Sequence, residues 1–360
     1  MKILYGVQAT GNGHLSRARE MARHFANSAV KVEYLISGRP KHKLHDMELF
    51  GDYKYCHGIT FQTQNGSVRA LDTIASLKPL QLIEDIKSLN ISDYDLVISD
   101  FEPVTAWAAK LNGKKCIGIG HQYAFEGPVP RAKGKWFSNQ VMKHFAPADL
   151  NVGLHWDRFN SNILPPIISP RLKPGSKRSG NKIVVYLPFE NQDRVTRILK
   201  AVPGYQFFQY APGLDDESEA HVELRAPSVE GFHADLSNCS GVICNSGFEL
   251  ISECLQLGIP VLTTPLSGQV EQLSNAVALE TLDLAKVESH LESEVVYNWL
   301  DKKRDRVSAG YPDVAKALVS WIEGGFQQPV EALSASLWGH PYQQATVESK
   351  RANTLKPAAI

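Results

Sequence analysis

The chain has 360 residues, 43% hydrophobic and 21% charged, with 38 Lys plus Arg against 38 Asp plus Glu. This length exceeds one ordinary core and predicts two domains, while the balanced charge excludes a global field for nucleic acid. Five cysteines without C-x-x-C pairs read as reduced thiols, and the lack of any signal-like or membrane-length apolar run makes the cytoplasm the expected location.

Lys2–Gln8 and Val30–Ser37 are predicted strands, and between them Leu15, Ala18, Ala22 and Phe25 recur at helical spacing, predicting a helix over His14–Ala26. Thr73–Leu89 is a predicted helix, Leu96–Ser99 a buried strand, Pro103–Leu111 a helix and Lys115–Ile119 a strand. Such alternation implies a parallel sheet covered on both faces. Leu164–Asn181 carries Pro165, Pro166, Pro170, Pro174, Gly175 and Gly180, a composition expected of an interdomain linker.

The alternation then restarts. Predicted strands are Lys182–Leu187, Tyr205–Tyr210, His221–Arg225, Gly241–Cys244 and Pro260–Thr263. Predicted helices are Gln192–Ala201, Glu230–Asn238, Phe248–Leu257 and Val270–Leu279. Trp299–Trp321 reads as helical with a break near Gly310, and the polar stretch from Ser336 as a poorly ordered tail. The expected division is a domain at 1–163, a linker at 164–181, a domain at 182–325, and a C-terminal segment with a disordered tail at 326–360.

Two loops carry the chemistry. Gly11, Asn12 and Gly13 follow the first strand and open the first helix, where glycines allow a sharp turn and the helix start offers N–H groups to polar atoms. A dinucleotide-binding loop fits poorly: Ser16 stands at the third glycine position, and the second strand runs into Ser37-Gly38-Arg39 without an acid. Arg39 leaves an NADP reading open, since it could meet a 2′-phosphate. His14 is either a satisfied residue near the helix cap or a group facing a ligand crevice. The helix dipole favours an uncharged ring there, able to take a proton.

The second loop is Cys244-Asn245-Ser246-Gly247, directly before a helix that carries Glu253. Backbone N–H groups and the Ser246 hydroxyl suit a diphosphate, and a carboxylate one to two turns along the helix suits ribose hydroxyls. Gly258-Ile259-Pro260, Pro265 and Glu271-Gln272 follow, then Asn275-Ala276. Taken singly these are a solvated glutamate, a cap and a surface polar group; at successive strand ends they converge on one crevice.

The segment Ser246–Ala276 resembles the donor-binding region of GT-B glycosyltransferases related to the peptidoglycan UDP-N-acetylglucosamine transferase, of the family 28 type. The Gly11–His14 loop is similar to that family's acceptor-side loop. The resemblance implies an α/β fold of the GT-B class, two Rossmann-like domains facing a central cleft, covering about residues 1–325. It implies that Ser246 and Gly247 meet the diphosphate, Glu253 the ribose, Glu271 and Gln272 the sugar, and the loop from Arg225 to Ser228 the base, a uracil; Asn245, counted with these donor-binding residues, departs from the basic residue or glycine usual before the serine.

The activity implied is transfer of a hexose or N-acetylhexosamine from a nucleotide-sugar substrate to an acceptor hydroxyl, lipid- or glycan-linked, with neither cofactor nor metal. Asp93-Tyr94-Asp95 has the D-x-D form of metal-dependent transferases but precedes a strand, at the end away from the crevice. Candidate bases are His14, then Asp100, then His121; Asp100 is as well suited to capping the helix from Pro103. The basic and apolar stretch 131–145 fits either peripheral contact with the inner membrane surface or, more simply, an ordinary helix with a buried face. Alternatives are a nucleotide-sugar epimerase of the same fold and a non-catalytic nucleotide-sugar or NADP-binding protein.

Overall fold

The computed structural model describes residues 1–59, 63–64, 67–68, 79–132, 144–173, 180–302 and 307–339. The chain divides into two compact units, the first built mainly from Met1–Thr63, Val68–Ser169 and Asp313–Ala335, the second mainly from Pro170–Pro312.

In unit 1, strands β1 (Lys2–Gln8), β2 (Lys31–Ser37) and β3 (Lys54–Tyr55) are followed by a two-stranded pair, β4 (Thr63–Gln64) and β5 (Ser67–Val68). Then come β6 (Leu96–Asp100), β7 (Cys116–Gly120) and β8 (Leu150–Gly153), and the main sheet is parallel in the order β3-β2-β1-β6-β7-β8. Numbering these strands by their sequence gives 3-2-1-4-5-6, in which the winding reverses between β1 and β6.

Helix α1 (Asn12–Phe25) packs on β1, whose Ile3, Leu4, Tyr5 and Val7 are all shut from solvent. Helix α2 (Pro79–Ser88) packs against α3 (Pro103–Leu111), which lies on β1 and β6. Gly6 permits this approach, because a Cβ there would stand 2.0 Å from Thr105 Oγ1. A short helix α4 (His121–Ala124) closes the end of β7.

Unit 2 repeats the plan. Its strands are β9 (Lys182–Tyr186), β10 (Gln206–Tyr210), β11 (Glu217–Glu219), β12 (Val222–Arg225), β13 (Gly241–Asn245), β14 (Val261–Thr264) and β15 (Lys286–Val287). The order β11-β12-β10-β9-β13-β14-β15 is again 3-2-1-4-5-6 once the antiparallel edge strand β11 is set aside. Helices α5 (Gln192–Lys200), α6 (Val229–Asn238), α7 (Phe248–Leu257), α8 (Val270–Thr281) and α9 (Ser293–Asp301) alternate with these strands. Asn191 caps α5 through Arg194 N at 2.9 Å, and α7 stops at Gly258, which takes a left-handed φ of 63°. Ile183, Val185, Phe207, Ile243 and Leu262 form the core with Val195, Leu199 and Trp299 from the helices.

Several expectations change here. Asp313–Ala335 belongs to unit 1, whereas the sequence places 313–325 in the second domain. The reason is α10 (Val314–Glu323), which packs on α1; Glu323 accepts from Ala29 N at 2.7 Å and Asp313 lies 3.2 Å from His24. Residues 336–338, expected to begin the poorly ordered tail, complete α11 (Val330–Trp338), whose Ser334 Oγ donates to Ile163 O at 2.8 Å. The expected linker begins late, because Leu164, Ile167 and Ile168 are buried in unit 1. Residues 340–360 of the expected tail, 73–78 of the expected helix, 174–179 of the linker and 303–306 lie outside the described residues.

Candidate active site

In doubly wound sheets the ligand crevice opens beyond the carboxyl ends of the strands where the winding reverses. In unit 1 that point is the end of β1 beside the end of β6, where Val7 pairs with Asp100. Asp100 is fully buried. Arg17 Nε donates to its Oδ2 at 2.8 Å, Arg17 Nη2 to its Oδ1 at 2.6 Å, and His14 Nδ1 lies 2.7 Å from Oδ1. An ionised carboxylate only accepts, so Nδ1 carries the proton and Nε2 is left with its lone pair. The His14 side chain is 13% exposed. Gln122 Nε2 lies 3.4 Å from His14 Nε2.

Burial is the largest influence on the Asp100 carboxyl and pushes its pKa upward, but Arg17 and His14 outweigh it and hold the group below its ordinary value. The neighbouring acid behaves differently. Glu102, also fully buried, is raised by burial against the opposing hydrogen bonds of Ser37 and of Thr105 and Val104 at the start of α3. Glu102 is therefore the α3 cap, a role the sequence had offered to Asp100. Both carboxylate oxygens of Asp100 are engaged, Oδ2 by Arg17 and Oδ1 by Arg17 and His14.

His121, the third candidate base, is 1% exposed, with Nδ1 against Leu154 O at 2.9 Å and the rings of Phe125, His155 and Trp156 around it. That packing encloses the ring on the side of unit 1's core. The Gly11-Asn12-Gly13 turn stands where the loop was expected, and Arg39 is tied to it, donating to Asn12 Oδ1 at 2.8 Å and Thr10 O at 3.3 Å. Asp95 accepts from Lys2 N at 2.7 Å at the opposite end of β6, so the D-x-D sequence is part of a strand-entry turn. Among the described residues no three His, Cys, Asp or Glu side chains gather as metal ligands.

In unit 2 the winding reverses between β9 and β13, and β13 runs into Ser246-Gly247 and α7. Gly247 is the N-cap of α7 and brings no side-chain oxygen to it, and Glu249 is the acidic residue of the helix's first turn. The Ser246 hydroxyl, expected to face a diphosphate, is fully buried and shares a 3.0 Å hydrogen bond with Thr263 Oγ1. Asn245 Nδ2 donates to Thr264 O at 3.1 Å, and Asn275 Nδ2 to Ser246 O at 3.0 Å. Asn275 thus locks the turn from α8, a role its surface-polar reading in the sequence did not suggest.

Glu253 projects from α7, half-buried, with His233 Nε2 3.8 Å away. Glu271 stands in the first turn of α8, while Gln272 is buried and its Oε1 accepts from Leu266 N at 3.0 Å, bracing the preceding loop. Ser228 caps α6 through Gly231 N at 3.1 Å, Ala226 N is held by Asp216 at 2.9 Å, and Arg225 lies over Phe208 at 5.3 Å beside Glu223. Ser228 and the carbonyl oxygen of Gln272 thus have local structural duties. Arg17 was missed in the sequence, as was the helix-spanning hold of Asn275.

Of the basic stretch 131–145, residues 133–143 lie outside the described residues; Arg131 binds the carbonyls of Phe125 and Gly127, and Phe145 is buried against Phe101 with ring centroids 4.8 Å apart. Among the described residues no helix is long and apolar enough to cross a membrane.

The fold is shared with solved glycosyltransferases. SnogD from Streptomyces nogalater aligns with a TM-score of 0.52 at 14% identity over 98% of this chain and 99% of that one. CalG4, the calicheamicin glycosyltransferase, gives 0.55 at 13% over 99% of each chain. The spinosyn rhamnosyltransferase SpnG complexed with thymidine diphosphate gives 0.55 at 14% over 98% of this chain and 100% of that one. Comparison with curated protein sequences finds no match. The family model described as Glycosyl transferase family 1 matches residues 1–303. With that match over most of its length and two doubly wound units of the GT-B class, the chain belongs to glycosyl transferase family 1 and is a glycosyltransferase.

Proposed function

We propose that the chain moves a hexose or N-acetylhexosamine from a pyrimidine nucleoside-diphosphate sugar to an acceptor hydroxyl, with His14 as base and without a metal ion. The observation that carries this reading is the 2.7 Å contact of His14 Nδ1 with the buried Asp100 carboxylate. His14 Nε2 takes the hydroxyl proton as the acceptor oxygen bonds the anomeric carbon, and the bond from that carbon to the diphosphate oxygen breaks. The charge left on the diphosphate is met by the amino end of α7 beyond Gly247. Glu253 accepts from the ribose hydroxyls, and Glu271 with the amide nitrogen of Gln272 addresses the sugar.

Two things support a pyrimidine base. The Ser246–Ala276 pattern is similar to that of the peptidoglycan UDP-N-acetylglucosamine transferase, and the solved structures of SpnG and VinC are complexes with thymidine diphosphate. Calorimetric titration with UDP, dTDP, GDP and NADPH, with and without EDTA, tests the reading. UDP or dTDP binds selectively and EDTA changes nothing. Binding of NADPH alone, or binding abolished by EDTA, overturns it.

A further inference from the structure

Arg17 is the largest of the fully buried side chains among the described residues and has no part in the donor site or in the choice of base. It lies one turn beyond His14 on α1, so both side chains leave the same helix face. Its two-point grip on Asp100 also brings Nη2 to 3.1 Å from His14 Nδ1. Gly120 leaves room for this cluster: a Cβ there would stand 3.2 Å from Asp100 Oδ1 and 3.5 Å from Arg17 Nη2.

We propose that Arg17 is a positioning residue for the proton transfer, holding Asp100 as an anion away from water and thereby fixing His14 in the tautomer whose Nε2 is basic. The inference rests on the reading of His14 as the base. A carboxyl with no access to water favours its neutral form, and a neutral carboxyl donates a hydrogen bond. Donation from Asp100 to His14 Nδ1 moves the imidazole proton to Nε2, which then cannot accept one from the acceptor hydroxyl. The other groups facing the carboxylate do not replace Arg17. Tyr5 on β1 and Tyr123 on α4 are phenols pushed well above their ordinary range by burial, and Glu102 is committed to the start of α3.

The test is Arg17→Met and Arg17→Lys in the full chain, following release of UDP from UDP-glucose, or dTDP from dTDP-glucose, with water as acceptor. Arg17→Met lowers kcat at neutral pH about 100-fold, leaves the donor KM within about twofold, and shifts the acid limb of the kcat profile upward, so that raising the pH restores most of the loss. Arg17→Lys keeps the charge without the fork and recovers part. An unchanged kcat, or a loss equal at every pH, overturns the proposal. Should neither variant fold, or neither sugar be cleaved, NMR of the wild-type chain decides. Asp100 carboxyl carbon in its ionised range at neutral pH and the His14 proton on Nδ1 uphold it; a protonated Asp100 or a proton on Nε2 overturns it. His14→Ala with undiminished kcat strikes the base reading itself, whereas a disabled His14→Ala beside a pH-independent Arg17→Met strikes only the role of Arg17.

Discussion

At the reversal point of unit 1 three side chains, His14, Arg17 and Asp100, come within 3.1 Å of one another. At the same point of unit 2, Asn245, Ser246 and Asn275 turn their polar groups back into the protein and leave the main chain at the helix start facing forward. Strand order is identical, so the contrast lies in the side chains at each end, and it matches the chemistry the proposed function assigns to each. Moving a proton requires a titratable side chain held in one tautomer, and that takes a charged partner and burial. Meeting a diphosphate requires fixed donors and a dipole, which the backbone supplies without any particular side chain. Unit 1 should therefore lose chemistry when a side chain is removed, and unit 2 should lose mainly stability, Glu253 excepted.

The sharpest break of this contrast is His14→Ala, expected to lower kcat about 10²- to 10⁴-fold with nucleotide affinity unchanged by calorimetry. An equal loss of affinity erases the distinction. Next is Asp100→Asn, which leaves the Arg17 guanidinium buried without its counter-charge and costs about 3–5 kcal/mol in urea unfolding at neutral pH. The folded Asp100 carboxyl lies below its ordinary value, so its stabilisation is present above about pH 3.9 and is lost as the pH falls through the folded value. The gap between wild type and variant accordingly narrows only in acid; a gap constant with pH rules out the ion pair as its source.

In unit 2, Glu253→Ala is expected to weaken UDP or dTDP binding about 10- to 100-fold by removing a charged acceptor for two hydroxyls. Unchanged affinity excludes Glu253 from the ribose. Smallest is Ser246→Ala, which removes the bond to Thr263 and costs about 1 kcal/mol of stability with nucleotide affinity intact. A large affinity loss in that variant would show the hydroxyl turning outward to the ligand.

The alternation of short apolar runs with amphipathic stretches was legible because a doubly wound sheet buries its strands on both faces. His14 was legible from a glycine turn opening a helix, and Asp100 from its place at a strand end. Their pairing was not, since it joins residues 86 apart. Arg17 shares α1 with Arg19, Glu20 and Arg23, where an arginine reads as solvated; only the carboxylate brought in by β6 makes its burial tolerable. His121 carried the same strand-end signal as Asp100, but the Phe125, His155 and Trp156 rings close over it, partly from a segment more than 30 residues on. The Ser246 hydroxyl faces inward to Thr263 on the neighbouring strand, a contact that the loop's own sequence does not encode. The apolar stripe of α10 was visible; that α1 would cover it was not.

That last contact bears on how the protein is made. Unit 1 takes its final helices from Asp313–Ala335, so a ribosome has already translated the whole of Pro170–Pro312 before it emits them. Until then Ala29 N lacks its Glu323 partner, Ile163 O lacks Ser334, and α1 waits for its neighbour. During synthesis the second unit is the first whose main segment is complete, and the order of birth along the chain is the reverse of the order in which the units can finish folding.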